Sequence, residues 1–450
     1  MSDITKNTLL AIFSGGVGLA SLFLLSKHLG VSDYGTYTAY ITAGMWVNLF
    51  TFQWLRLIYI RYGTQEAVLS IVSATQLTIV MIFLAVAMLY SEGGLVRYSL
   101  FLIPVIAVYE LYAAHLRVTG LIDRFLKYQI VRPVFFIAAL LIGLTQNYGL
   151  DFFYFIVILS YLIPFVLFGG YRIYRTLDLN IKRGGEMLTY GLLASMMSLV
   201  SYTFISGTKY SIFLLFGNAA LGRISLPLDI AYQGLTAVYL AIHAVSFNKL
   251  LNKYNEANSF DFKEISLYRD FLFVLGCAII FLGVSLSGSL GIVFIDSEFE
   301  AGFSSVFSLA CIVFTVLYWK ICYVDTYYHI TGAIKGQIYI AFPLVLMMLL
   351  VNYCIYINDL PGTYFLYSLA GSVFSYFILG SLPLNKKGLG FNRKHMALVA
   401  FVCGFSLMIK YYFSLLGYWW NISLIAFLPL FVLAALFIVN PMKFKNGLSL

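Results

Sequence analysis

Charge is what this 450-residue sequence has least of. Asp, Glu, Lys and Arg make up 10% of it, against roughly 25% in a soluble globular domain. Set beside 61% hydrophobic residues, that deficit excludes a soluble fold and indicates an integral membrane protein. The cysteines (Cys277, Cys311, Cys322, Cys354 and Cys403) all lie in apolar stretches without CxxC spacing. A disulfide framework or thiolate metal site is therefore not expected, and small buried core residues are. No P-loop, HExxH or GxSxG occurs, so neither ATP hydrolysis nor those hydrolytic chemistries are expected, and no cofactor is. Low-complexity segments are absent, and so are long loops, which leaves little room for a soluble domain. The first apolar segment follows only Lys6, with Asp3 offsetting it, and is longer than a signal-peptide core. No small-x-small cleavage site follows it, so it is read as retained.

What is present is apolar helix, repeated. A spanning helix needs about 20 apolar residues. Fourteen segments meet that need: 8–26, 36–58, 68–90, 96–117, 126–146, 152–170, 187–213, 219–246, 268–289, 301–329, 335–356, 363–383, 396–414 and 418–440. The expected fold is all-α and polytopic.

The cations support this count. With the N-terminus inside, twenty-one of the 28 Lys and Arg residues fall on inner connections, four (Lys27, Arg97, Arg223, Lys410) on outer ones, and Arg132, Lys209 and Lys320 deep in helices. A helix missed or added midway would invert the alternation and destroy the bias. Both termini are thus expected in the cytoplasm. The net charge of +9 is read as contact with anionic membrane lipid, not nucleic acid.

A faint internal repeat runs through the chain. Gly30-x-x-x-x-Gly35 follows the first segment and Gly217-x-x-x-x-Gly222 the seventh. Six segments separate them, so both halves enter the membrane in the same sense, as a parallel repeat. The expected organisation is a six-helix lobe at 1–180, a second at 181–385, and two further helices at 386–450.

The run Leu25-Ser26-Lys27-His28-Leu29-Gly30-Val31-Ser32-Asp33-Tyr34-Gly35-Thr36-Tyr37, whose nine residues Lys27 to Gly35 are read as the turn between the first two helices, resembles the first-turn pattern of bacterial polysaccharide exporters and O-antigen (Wzx-type) flippases. These belong to the multidrug/oligosaccharidyl-lipid/polysaccharide (MOP) superfamily. Phe216-Gly217-Asn218-Ala219-Ala220-Leu221-Gly222 is similar to that family's turn after helix seven, and Glu298-Phe299-Glu300-Ala301-Gly302-Phe303 to its start of helix ten. Two departures stand out. The Asp-Arg pair many relatives carry late in helix seven is here Gly207-Thr208-Lys209-Tyr210, and the proline near the end of helix eight is replaced around Ser246-Phe247. The resemblance implies a non-enzymatic flippase of the bacterial inner membrane, moving undecaprenyl-diphosphate-linked oligosaccharide for O-antigen, capsule or exopolysaccharide synthesis. It also implies alternating access, H+ or Na+ as the coupling ion, and other polysaccharide assembly proteins as partners. The alternatives are a multidrug or organic-cation antiporter of the same superfamily, a polysaccharide polymerase and a glycosyltransferase; the last two usually present a large outer loop, which this sequence lacks.

Charges inside a membrane are expensive and mark functional sites. Arg56 shares a helix face with Gln53 and suits a diphosphate, because guanidinium offers a bidentate fork; snorkelling is the structural alternative, for it and for Arg61. Arg132 precedes Pro133, Lys209 follows Ser206-Gly207-Thr208 in what reads as a loosened helix, and Lys320 is the third deep cation. Arg56, Arg61, Arg132, Lys209 and Lys320 are the candidate cations for substrate. Glu110, seven residues before Arg117, with Asp229 and Asp325, are the candidate ion-coupling carboxylates. Asp325 shares a face with His329, and pairing of a carboxylate with Lys209 or Lys320 is equally open. Most of the 35 tyrosines are expected in interfacial belts, with Trp419-Trp420 as an anchor.

Overall fold

The computed structural model describes residues 3–63, 66–89, 94–175, 184–257, 262–331, 333–386, 388–391 and 393–413. All regular structure among them is helical. The helices are α1 (Asp3–His28), α2 (Val31–Tyr62), α3 (Glu66–Leu89), α4 (Gly94–Val118), α5 (Ile122–Thr145), α6 (Leu150–Leu167), α7 (Gly184–Ala257) and α8 (Phe262–Phe294). They continue as α9 (Ser297–Glu300), α10 (Phe303–Trp319), α11 (Thr326–Thr331), α12 (Ile334–Ile357), α13 (Tyr364–Lys386) and α14 (Arg393–Phe413). A 3-10 turn, Gly170–Tyr174, follows α6, and a π-helical segment, Lys320–Asp325, joins α10 to α11. Ten of the described segments are long and apolar enough to cross a membrane, as an all-α polytopic fold requires. The predicted final span, 418–440, and Trp419-Trp420 lie outside the described residues.

Two expectations about the glycine motifs change. The first turn is not nine residues long. Only Leu29 and Gly30 separate α1 from α2, and Asp33, Tyr34 and Gly35 already belong to α2. Gly30 is extended (φ −60°, ψ 164°) and starts the helix. The predicted seventh and eighth spans form one hydrogen-bonded helix, α7, broken only at Gly217 (φ 80°, ψ −177°). That conformation is essentially reserved for glycine.

The chain forms two compact units, Met1–Gly222 and Arg223–Leu450. In the first, α4 is central and packs against α2, α3 and α6, while α5 packs on α1 and α6. The first part of α7 runs antiparallel along α2. Trp46 Nε1 donates to Thr203 Oγ1 at 2.9 Å and Ser195 Oγ to the Leu49 carbonyl at 3.3 Å. At the far end the two glycine motifs meet reciprocally. A Cβ on Gly35 would fall on the carbonyl of Asn218, and a Cβ on Gly222 on the carbonyl of Val31. Val31 follows Gly30 and Asn218 follows Gly217, so each motif starts a helix with its first glycine and admits the other's backbone with its second.

The core of this unit is rich in tyrosine, which corrects the belt expectation. Tyr34, Tyr59, Tyr109, Tyr128 and Tyr154 are fully buried. Burial is tolerated because the hydroxyls donate to backbone carbonyls inside the bundle, whose oxygens each have two lone pairs. Tyr128 donates to Tyr109 O at 3.0 Å, Tyr154 to Thr36 O at 2.9 Å and Tyr112 to Phe168 O at 2.7 Å. Outside the spans, Tyr174 donates to Gln76 Oε1 at 2.5 Å, and burial raises its hydroxyl above the ordinary range, keeping it a donor.

In the second unit α8 packs on α10 and α14, and α13 on α10 and α12. Trp319 closes α10 with Nε1 donating to Leu272 O at 2.9 Å and its ring stacked on Phe273 at 4.8 Å.

The glycine contact gives a direct prediction. Gly35→Ala and Gly222→Ala each overpack backbone against backbone and should cost about 1–3 kcal/mol. Gly16→Ala, with open space around its Cβ position, should be neutral or stabilising. Thermal unfolding of the purified protein in detergent reads the difference; equal melting of all three variants would contradict the close approach.

Candidate functional site

The charged side chains sort into arrangements of different openness, and the local helix geometry decides which. In the first unit Arg56 of α2 forms an ion pair with Glu110 of α4 through Nη1. Glu110 therefore pairs across helices and not along its own helix with Arg117, whose guanidinium lies 4.4 Å from the ring centre of Phe125. The Arg56 and Glu110 side chains are 28% and 37% exposed, so helix packing leaves the pair partly uncovered. Arg56 Nε is buried without a partner, and the amide oxygen of Asn48, two turns back, is also buried without a partner. A guanidinium with one nitrogen committed keeps donors for an anion.

Next to this pair is an aromatic group of α4, α5 and α6. Tyr109 stacks on Tyr128 at 4.6 Å and meets Tyr161 edge-on at 5.1 Å. Arg132 lies over Tyr161 at 4.0 Å and Tyr109 at 6.0 Å. Cation–π contact of this kind holds a half-buried cation without a carboxylate. Tyr59 and His115 share a hydrogen bond of 2.9 Å. Arg61 is exposed, its guanidinium 4.2 Å from the centre of the Tyr190 ring.

Lys209 is buried, but its helix is not loosened. Ser206 and Thr208 bond back to the carbonyls of Tyr202 and Phe204 at 2.9 and 2.8 Å, which satisfies the hydroxyls inside a regular helix. The break lies two turns later, at Gly217.

In the second unit Lys320 and Asp325 form a closed pair, 0% and 5% exposed. The π-helical segment explains it. Residues five apart point in different directions on an α-helix, whereas the wider π turn, bonded i to i+5, brings them together. Asp325 thus pairs with Lys320, one of the open alternatives. Lys320 Nζ also lies 3.5 Å from the centre of the Tyr376 ring. Asp229, half-buried after Pro227 in α7, belongs to this unit as well.

One cluster escaped sequence reading. Arg269 Nε donates to Asp270 Oδ1 at 2.8 Å and Nη1 to Gly390 O at 2.8 Å, while His395 Nε2 lies 3.2 Å from the same carboxylate oxygen. All three side chains are buried. By sequence Arg269 counts only as one of the cations of the inner connections. The adjacent Arg269-Asp270 at a helix start was a signal for local pairing, but nothing in the sequence linked it to His395, 125 residues away.

This arrangement of helices is similar to that of solved flippase and multidrug-transporter structures. Among solved structures, lipid II flippase MurJ in an inward closed conformation aligns with TM-score 0.70 over 98% of this chain and 99% of its own, at 13% identity. A MATE-family multidrug resistance transporter in its inward-facing conformation aligns with TM-score 0.59 over 86% of this chain and 99% of its own, at 12% identity. A MOP transporter from Pyrococcus furiosus, described by the reverse polarity of its binding pocket, aligns at 0.50 over 90% and 95%, at 14% identity. No family model and no curated protein sequence matches the chain.

The closed pair can be tested by itself. Lys320→Met strands a buried carboxylate and should destabilise by about 3–5 kcal/mol, whereas Lys320→Met with Asp325→Leu should recover most of that loss. Unfolding of the singles and the double in detergent measures the coupling; additive losses would contradict the pair.

Proposed function

We propose that the chain is a flippase that carries a polyprenyl-diphosphate-linked oligosaccharide across the bacterial inner membrane. Both termini lie in the cytoplasm, and the product feeds surface polysaccharide assembly. The shared fold supports transport by alternating access. The observation that carries the substrate class is the Arg56–Glu110 pair. It is partly uncovered, and only one guanidinium nitrogen, Nη1, is recorded in the pair with Glu110, which supports a diphosphate as the group that competes for Arg56. Glu110 holds Arg56 in place when no substrate is bound; the diphosphate takes over the guanidinium and releases the carboxylate. That exchange gives Glu110 a route to couple transport to H+ or Na+. Asp229 and Asp325 remain further coupling candidates, and Arg61, Arg132 and Lys209 further cations along the path. Lys320, closed against Asp325, acts through the packing of its own unit.

In this reading 1–180 and 181–385 act as the two lobes, with 386–450 added to them. The reciprocal glycine contact supports that repeat, because it relates the two motifs by exchange.

The MATE likeness keeps an organic-cation antiporter as the second reading. Such a cavity needs unneutralised negative charge. Two of its three candidate carboxylates, Glu110 and Asp325, are already paired with internal cations, which favours the anionic substrate.

Arg56→Ala should lower flipping about 10- to 100-fold, the loss expected for a charge-assisted hydrogen bond. Arg56→Lys should retain part, since the charge stays and the fork is lost. Protein level in the membrane should not change. In cells, accumulation of single lipid-linked repeat units facing the cytoplasm reads the defect. Normal surface polysaccharide in an Arg56→Ala strain would overturn the assignment.

A further inference from the structure

A cavity unrelated to the Arg56 site opens where α4 turns into α5. Its volume is about 490 Å³ and it is lined by Gly120, Leu121, Ile122, Asp123, Arg124, Lys127 and Phe168, within the roughly 300–1,000 Å³ of small-molecule sites. Two of its side chains are cationic and one, Asp123, is anionic. Arg124 is held in place: its Nη2 donates to the Phe168 carbonyl at 2.5 Å. The Tyr112 hydroxyl shares that carbonyl. Arg124 has four further N–H donors. Arg172, on the neighbouring 3-10 turn, packs beside Gly169 and adds a third cation next to the cavity. No side chain caps α5, so the positive end of its dipole adds to the field.

The surroundings of the cavity are apolar and exposed. Leu121, Val166, Leu167 and Tyr171 all present large uncovered surfaces. A basic pocket rimmed by exposed apolar side chains and an aromatic ring, at the end of a spanning bundle, has the chemistry of a membrane interface. By the Lys and Arg bias this end faces the cytoplasmic leaflet, where anionic phospholipids reside.

We infer that this cavity is a binding site for the headgroup of an anionic phospholipid. The phosphodiester lies against Arg124 and Lys127, and the acyl chains lie along Leu121, Val166 and Leu167. The site would hold the α4–α5 turn to the 3-10 turn and the end of α6 through the shared Phe168 carbonyl. It does not depend on which substrate the protein transports.

The test uses the full chain in nanodiscs containing phosphatidylglycerol and phosphatidylethanolamine, with retained lipid counted by native mass spectrometry after detergent release. The wild type should retain phosphatidylglycerol in preference to phosphatidylethanolamine. Each cation contributes about fivefold near an anionic headgroup, so Arg124→Gln with Lys127→Gln should lower the preference about 25-fold. Arg124→Lys with Lys127→Arg, which keeps both charges, should retain it, separating a lost site from a lost fold. Inorganic phosphate in excess should not displace the lipid, because the apolar rim contributes to holding it. An unchanged preference in the Gln variant, equal retention of both lipids by the wild type, or displacement by phosphate alone would each overturn the site.

Discussion

Two helix backbones touch where α2 and the first part of α7 lie against each other, and only glycine permits it. Gly35 admits the Asn218 carbonyl and Gly222 admits the Val31 carbonyl. A side chain at either position would force the helices apart. From that point the two helices run antiparallel through Trp46–Thr203 and Ser195–Leu49 to Arg61 over Tyr190. The position of α2 in turn sets that of Arg56, and hence whether Glu110 on α4 can reach it. The first unit's charged site therefore rests on a contact that contains no charge.

The two ion pairs share their chemistry and differ in exposure. Arg56–Glu110 joins two helices and stays partly open. Lys320–Asp325 lies within one segment, is closed, and is capped by an aromatic face. A buried pair of that kind is poor evidence for added stability, but breaking it is costly. Its π-helical turn is a local departure from regular helix made to satisfy two charges in an apolar interior. The buried Arg269–Asp270–His395 cluster applies the same rule between the early turns of α8 and the start of α14.

Much of the architecture was legible because hydropathy and length decide it. The expected spans from the first to the thirteenth fall on observed helices, with the seventh and eighth merged, since a single Gly217 bends the chain without ending the hydrogen-bond ladder. Spacing revealed the glycine motifs but not their use: the five-residue interval looks like a turn, while Gly35 and Gly222 are inside helices and serve contact between distant segments. Asp325 and His329 are neighbours on α-helical spacing, and the π segment, which the sequence did not reveal, adds Lys320 to the same carboxylate. The pairing of Arg56 with Glu110 and of Asp270 with His395 depends on tertiary packing, on which one sequence is silent. Tyrosines looked interfacial by composition; inside, backbone carbonyls accept hydrogen bonds from their hydroxyls.

The charge of the transported molecule separates the proposed flippase from a cation antiporter. The most direct measurement is translocation by the purified protein in proteoliposomes, offered either a short-chain polyprenyl-diphosphate oligosaccharide or a lipophilic organic cation. Transfer of the diphosphate-linked sugar between leaflets, with no uptake of the cation, is the predicted result. Uptake of the cation driven by an H+ or Na+ gradient, with the sugar lipid left in its original leaflet, would contradict it.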